Sequence, residues 1–268
     1  IMMKLLPITI ALTITGLFLA GCQATPVVKP EPIIYQGATA QSHPHWGYRA
    51  PDIIPTHWGD EEVNKMCQIG QTQSPINIPN TVVSTNSKTL TPQYHSQDFT
   101  ITNNGHTIVY TANNPDASHL LINNVDYKLL QFHYHIPSEH TVMDTSYPLE
   151  IHFVHQNANK QLAVVGVLVN VGSYNADLQR ILVNLPSSKE QQGVLSQLNI
   201  SSLMPSTSQT YAYQGSLTTP PCSEQVQWLL KTQPITLSQP QLETLSKLYQ
   251  GNNRPVQPQG NRVVNVIN

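Results

Sequence analysis

Gln131-Phe132-His133-Tyr134-His135-Ile136, and then Glu150-Ile151-His152-Phe153-Val154-His155, form the stretch around which the rest of the chain is read. In a β-strand successive side chains point to opposite faces. Gln131, His133 and His135 therefore share one face, and Phe132, Tyr134 and Ile136 the other. The second segment divides the same way, with Glu150, His152 and Val154 on one side and Ile151, Phe153 and His155 on the other. Pro137, Asp144, Ser146 and Pro148 lie between them, and such residues end strands and make turns. Two neighbouring strands would bring together His133 and His135 from one and His152 from the other.

Three imidazoles with no cysteine nearby suit zinc, which in catalytic sites keeps three protein ligands and an open position for water. A metal-bound histidine usually gives its second ring N–H to a carboxylate or amide. Gln131 and Glu150 each stand two residues before a ligand candidate and on its face, where such partners belong. The competing reading is a set of polar residues on a half-exposed strand.

The chain has 268 residues, enough for one sizeable domain. A net charge of −2 and only 10% charged residues offer nothing to nucleic acid. Apolar residues alternate with Thr, Asn and Gln through the middle, which favours strands over helices. Lys4 precedes an apolar run from Leu5 to Ala20, short for a membrane span and fitting a secretory signal. Met2 and Met3 are both candidate starts. The run ends in Leu19-Ala20-Gly21-Cys22, which resembles the bacterial lipobox, whose cysteine is lipidated. Ordinary cleavage near Ala20 and an uncleaved anchor are the alternatives. Gln23, rather than Asp, after the cysteine points to the outer membrane, with the folded part in the periplasm. Residues 23–43, with Pro26, Pro30 and Pro32, read as an extended tether. The expected organisation is thus a leader at 1–22, a tether at 23–43 and a domain at 44–268. Of three cysteines, a lipidated Cys22 leaves Cys67 and Cys222 to pair in an oxidising compartment; two buried free thiols are the alternative.

Further motifs follow the histidine strands' example of specificity through combination. They are Trp46-Gly47-Tyr48, His57-Trp58-Gly59, Gln73-Ser74-Pro75-Ile76-Asn77-Ile78, Asn103-Asn104-Gly105-His106-Thr107, Leu217-Thr218-Thr219-Pro220-Pro221-Cys222 and Asn252-Asn253-Arg254-Pro255. In this order, from about His45 to the C-terminus, they resemble the α-class carbonic anhydrases. Ile136-Pro137-Ser138-Glu139-His140 and the cysteine pair resemble the bacterial branch. The resemblance implies a mainly β fold: a large, twisted, mostly antiparallel central sheet with short peripheral helices. Helical spacing is present at Ala176 to Leu185 and Gln239 to Tyr249.

The resemblance also implies an activity, the reversible hydration of carbon dioxide to bicarbonate and a proton by zinc-bound hydroxide. His133, His135 and His152 match the zinc ligands, with Gln131, Glu150 and the backbone carbonyl of Asn252 behind them. Thr218 matches the group that accepts the hydroxide's hydrogen bond, and Glu139 the carboxylate that receives the threonine's own proton. His106 matches the proton shuttle, and Tyr48, Asn104 and Thr219 the residues that order the water chain. Val154, Val164, Leu217, Val226 and Trp228 match the apolar substrate wall, which Thr219 adjoins. His155 is expected to point away from the metal. His43, His45, His57, His95, His119 and His140 are expected in turns, at the surface or in local hydrogen bonds, with a structural role open to His140 from its place after Glu139. Carbon dioxide and bicarbonate are the expected partners, with a lipid anchor, and a homodimer is left open. A binding protein on the same fold and a zinc esterase are the competing classes.

Overall fold

The computed structural model describes residues 45–85 and 88–267. The leader, Cys22, the tether and His43 lie outside the described residues. Thirteen strands form one sheet, and three short ones form a second. Strand Val125–His135 lies at the centre of the large sheet. Ile108–Ala112 flanks it on one side and Leu149–Asn157 on the other, both antiparallel. Beyond Leu149–Asn157 comes Leu162–Val171, antiparallel, and then Glu224–Lys231, which runs parallel to it. Thr210–Ser216 closes against Glu224–Lys231, antiparallel again.

The hairpin between 149–157 and 162–171 is set by local chemistry. The Asn157 carboxamide oxygen accepts the N–H of Asn159 and Gln161, and Lys160 takes the left-handed conformation the turn needs. Between 149–157 and 125–135 the register is interrupted. Val154 pairs with Gln131 but His155 pairs with Leu129, so Leu130 is an extra residue on its strand. This bulge reverses the parity of the strand. Tyr127 and Leu129 face the main core, and so do Phe132 and Tyr134. Gln131, His133 and His135 are thereby turned to the other face of the sheet.

The two faces bury different things. The main core holds Phe132, Tyr134, Ile151, Phe153, Leu129 and Tyr110 among others. A second apolar cluster on the histidine side holds Val154, Val164, Leu168, Val226, Trp228 and Tyr213, with Leu217 packed against it. Strand 149–157 is buried along nearly its whole length because it is covered on both faces.

The two helices are shorter than their apolar spacing suggests, Ala176–Ile181 and Gln239–Ser246. Asn175 caps the first through the N–H of Asp177 and Leu178. Asn184 then turns left-handed, and Leu185 precedes Pro186, a position disfavoured in a helix. After the second helix the Leu248 and Tyr249 N–H groups both reach the Leu245 carbonyl, so the spacing continues through a tighter turn. Cys67 and Cys222 form a disulfide across a sequence separation of 155. In the chain-entropy account such a loop is worth about 5 kcal/mol.

Candidate metal centre and catalytic site

His133 and His152 are directly opposite each other across the central strand pair, with Glu150 opposite His135 and Val154 opposite Gln131. All six side chains therefore project from one face. One ring nitrogen from each of His133, His135 and His152 falls within 4.8 Å of the others, close enough for one ion to meet all three.

Each ring is turned by a partner on its other nitrogen. His133 Nδ1 donates to Gln131 Oε1 at 2.9 Å. His135 Nδ1 donates to the Asn252 carbonyl at 2.6 Å. His152 Nε2 donates to Glu150 Oε1 at 2.8 Å. The free nitrogens are then Nε2 of His133, Nε2 of His135 and Nδ1 of His152, each with its lone pair toward the shared space. Burial pushes all three imidazoles below their ordinary pKa, His135 to about 4. Rings held neutral in this way are the form that binds a metal.

The supports are themselves held. Asn252 Nδ2 donates to the carbonyls of Tyr134 and His106, and its Oδ1 accepts the Ile136 N–H. The backbone oxygen that meets His135 is therefore clamped from three sides. Glu150 Oε1 also accepts His140 Nδ1 at 2.7 Å, and its Oε2 accepts the N–H of Glu139 and His140. Burial raises the Glu150 pKa, but the electrostatic pull of the His140 and His152 ring N–H groups and their hydrogen bonds outweigh it and hold the carboxyl well below its usual range. His140 Nε2 in turn accepts from the Tyr213 hydroxyl at 2.6 Å, beside Ser74 Oγ at 2.9 Å. His140, Glu150 and His152 also cluster closely. Both ring nitrogens of His140 are spent in this chain, so it braces the centre and offers no ligand.

Glu139 stands beside the three rings. Its Oε1 accepts the Arg254 N–H at 2.8 Å. Its Oε2 lies 3.4 Å from His135 Nε2 and 3.9 Å from His152 Nδ1. Oε2 and His135 Nε2 are buried without a hydrogen-bond partner among the described residues. A buried imidazole lone pair left without a partner is costly unless something fills the space it faces, and a cation meets the need of His135 Nε2. Burial pushes Glu139 up to about 7, while His152, the Arg254 N–H and the Thr218 side chain pull it back. Thr218 is buried next to it.

The expected wall residues gather on the same side. Val154, Val164, Val226 and Trp228 are buried in the second apolar cluster, with Leu217 at its edge. The Trp228 ring lies 4.8 Å from that of His152 and 4.7 Å from that of His140. Gly166, opposite His152 on the next strand, makes room for this packing. A Cβ there would sit 2.7 Å from Leu230 Cδ1 and 3.2 Å from Glu150 Oε1. Thr219 closes the turn after Thr218 by accepting the Cys222 N–H.

His106 follows a turn in which Asn104 Oδ1 accepts the N–H of both His106 and Thr107. The His106 ring stacks on Trp46, and Tyr48 packs edge-on against Trp46 and Trp58.

Several residues escaped the sequence reading. Among the remaining histidines, His57 and His119 form local pairs with Asp60 and Asp126, and His155 lies in the core. His140 is a fully buried brace, in keeping with the structural role expected from its place after Glu139. Arg254 is 2% exposed. Its guanidinium donates to Gln73 Oε1, the Ser74 carbonyl and the Cys67 carbonyl. It thus ties the disulfide-bearing segment to the residue that holds Glu139.

The comparisons with known proteins fit this geometry. The model of the eukaryotic-type carbonic anhydrase family matches residues 54–268. A carbonic anhydrase of Klebsiella pneumoniae is 40% identical over 223 residues, 82% of this chain and 90% of the relative. One of Neisseria gonorrhoeae is 36% identical over 254 residues, covering 94% and 95% of the two chains. The structure of the α-carbonic anhydrase of Thermovibrio ammonificans in complex with the inhibitor sulfanilamide superposes with a TM-score of 0.78 at 38% identity, covering 83% of this chain and 99% of that one.

Proposed function

The chain belongs to the eukaryotic-type, or α, carbonic anhydrase family, and on that footing we propose that it hydrates carbon dioxide at a zinc ion held by His133, His135 and His152. The observation that carries the proposal is the set of three buried imidazoles, each fixed by a partner on one nitrogen and each turning the other to a common point. When bound there, zinc supplies a Lewis acid that brings the pKa of water to about 7, a figure taken from carbonic anhydrase itself. Uncharged ligands leave that acidity undiminished, whereas thiolates would offset it.

The chain's own residues do the rest. Glu139, ionised beside a dication, can only accept, so the Thr218 hydroxyl donates to it. The Thr218 lone pair is then left to receive the O–H of the nucleophile and aim it. Val154, Val164, Leu217, Val226 and Trp228 offer an apolar, linear substrate a wall with no competing hydrogen bonds from the aliphatic side chains. His106 carries the product proton toward solvent, and Tyr48, Asn104 and Thr219 hold the intervening waters. The test is metal analysis paired with a stopped-flow hydration assay. One zinc per chain is expected, with activity lost on chelation and restored by zinc. Full hydration activity in metal-free protein would overturn the proposal.

We further propose that the domain is exported and tethered. The Cys67–Cys222 bridge belongs to an oxidising compartment. The Leu5 to Ala20 run and Cys22 would supply the leader and a lipid anchor in the outer membrane, with 23–43 spanning the gap. No helix among the described residues is long and apolar enough to cross a membrane. Labelled palmitate should enter the protein and be lost in Cys22→Ala; equal labelling of the two would refute the anchor.

A further inference from the structure

Three hydrogen-bonded arms leave Ser74. Its hydroxyl donates to the Tyr213 hydroxyl at 2.9 Å, since Tyr213 spends its own hydrogen on His140, which in turn meets Glu150 behind His152. Its carbonyl accepts the Arg254 guanidinium at 2.8 Å, and the Arg254 N–H holds Glu139 Oε1. The third arm is Ser216. The Ser74 N–H donates to Ser216 Oγ at 2.8 Å, and the Ser216 N–H donates back to Ser74 Oγ at 3.1 Å. Both serines are fully buried. Gly215 makes room for the pair, because a Cβ there would lie 2.1 Å from Ser74 Oγ.

Having accepted the Ser74 N–H, Ser216 Oγ donates its own hydrogen to the Leu217 carbonyl at 2.8 Å. That carbonyl belongs to the peptide joining Leu217 to Thr218. The backbone has two soft dihedrals per residue, and the peptide between residues is planar. The Leu217 N–H is held by the Ser223 carbonyl at 2.9 Å. With the carbonyl pinned as well, the ψ of Leu217 is set, and the planar peptide then fixes where the Thr218 Cα lies. The strand before it is steadied by Trp228 Nε1, which donates to the Ser216 carbonyl at 2.9 Å. The turn after it is closed by the Cys222 N–H on the Thr219 carbonyl at 2.9 Å. From the backbone so placed, the Thr218 side chain bonds Glu139.

We propose that Ser216, locked by Ser74, is a positioning residue for Thr218: it sets the backbone from which the aiming hydroxyl projects. Ser74 also holds Glu139 through Arg254, so both halves of the Glu139–Thr218 pair are built on one support. The inference rests on the reading of that pair as the group that orients the nucleophile. A buried hydroxyl is costly unless bonded, and both bonds of the Ser216 hydroxyl go to backbone that carries the site.

The test compares the full protein, loaded with zinc, with Ser216→Ala, Ser216→Thr, Thr218→Ala and the Ser216→Ala/Thr218→Ala double variant. Stopped-flow hydration gives kcat/KM and metal analysis gives zinc per chain. Backbone hydrogen exchange in the zinc-free protein follows the Leu217 and Cys222 N–H groups. Ser216→Ala should keep one zinc per chain and exchange faster at Leu217 and Cys222. Its kcat/KM should fall roughly tenfold to 10²-fold, the upper figure being that of a misplacement of about 1 Å. Ser216→Thr, which keeps the hydroxyl, should recover most of both. In the Thr218→Ala background Ser216→Ala should cost nothing further, because the group it places is gone. If it costs as much there as in the parent, Ser216 supports the fold at large and the inference fails. Parent kcat/KM or parent exchange in Ser216→Ala also overturns it, with the proposed zinc centre intact. Loss of zinc in Ser216→Ala would route its effect through the ligands and overturn it too. Where Ser216→Ala does not fold, Ser74→Ala, which removes the acceptor of the Ser216 N–H, takes its place in the comparison of kcat/KM between the two backgrounds. If Thr218→Ala matches the parent, the reading of Thr218 as the aiming group fails and takes the inference with it.

Discussion

His152 and His155 stand three residues apart on the same strand, both fully buried and both with depressed pKa values. Yet they belong to different chemistries. His152 spends one nitrogen on Glu150 and keeps Nδ1 free beside His133 and His135. His155, on the opposite face, spends both: Nδ1 donates to the Phe153 carbonyl and Nε2 accepts from the Tyr94 hydroxyl. A buried imidazole whose hydrogen bonds are complete is a core residue. One left with a lone pair aimed toward two others is one of the three parts of a candidate metal site. Burial and residue type do not separate the two cases; the count of occupied nitrogens does.

The sharpest way to break this contrast is to exchange the two roles by mutation. His152→Ala should lose zinc and reduce hydration to the uncatalysed rate, and His133→Ala should do the same. His155→Gln should keep one zinc per chain and its activity. Metal content together with stopped-flow rates decides the matter, and zinc retained in His133→Ala would mean the wrong ligand has been named.

Next in size is the support behind His152. Glu150 receives four donors, two ring N–H and two backbone N–H. In Glu150→Gln an amide N–H₂ must face at least one of these donors. Zinc affinity, measured by competition with a chelator, should fall about 10–100-fold. An unchanged affinity would show that His152 is aligned by packing alone.

The counterpart for His155 is acid stability. Burial pushes its pKa to about 4 in the folded protein, against about 6.5 in the unfolded chain. Above 6.5 both states are neutral at this site and its contribution is constant. Between 6.5 and 4 the unfolded chain binds a proton that the folded chain refuses, so stability falls as pH falls. Below 4 both states carry the proton. The loss is about 3 kcal/mol. Urea titrations across this window should show a shallower decline in His155→Gln than in the parent, and parallel declines would refute the assignment.

The smallest effect concerns the residue between two ligands. Tyr134 points to the core side, and its hydroxyl is buried without a hydrogen-bond partner among the described residues. Removing an unsatisfied hydroxyl is nearly neutral or stabilising. Tyr134→Phe should leave zinc content unchanged and shift stability by no more than about 1 kcal/mol, upward if at all. A large loss would reveal a bridging water.

What could be read in advance follows from the range of each interaction. The shared face of His133, His135 and Gln131, and that of His152 and Glu150, is a property of two short strand segments, because alternation needs no knowledge of the rest of the chain. The resemblance added Asn252, Thr218, Glu139 and the pocket wall, which no spacing rule supplies. The brace of His140, Tyr213 and Ser74 joins residues as far as 139 positions apart, and no local pattern announces it. Helix ends were overextended because apolar periodicity ignores Asn184 and Pro186, which stop the first helix.

By itself, then, the sequence determined the β character, which imidazoles share a strand face, and the pairing of His133 and His152 with polar neighbours two residues away. The tertiary structure decided the register that sets His152 across from His133. It also decided the bulge at Leu130 that turns the histidines out of the core, and which ring nitrogens remain free. The reason is physical: side-chain alternation is a local steric rule, whereas register, bulge and tautomer depend on which backbone and side-chain partners arrive from distant parts of the chain.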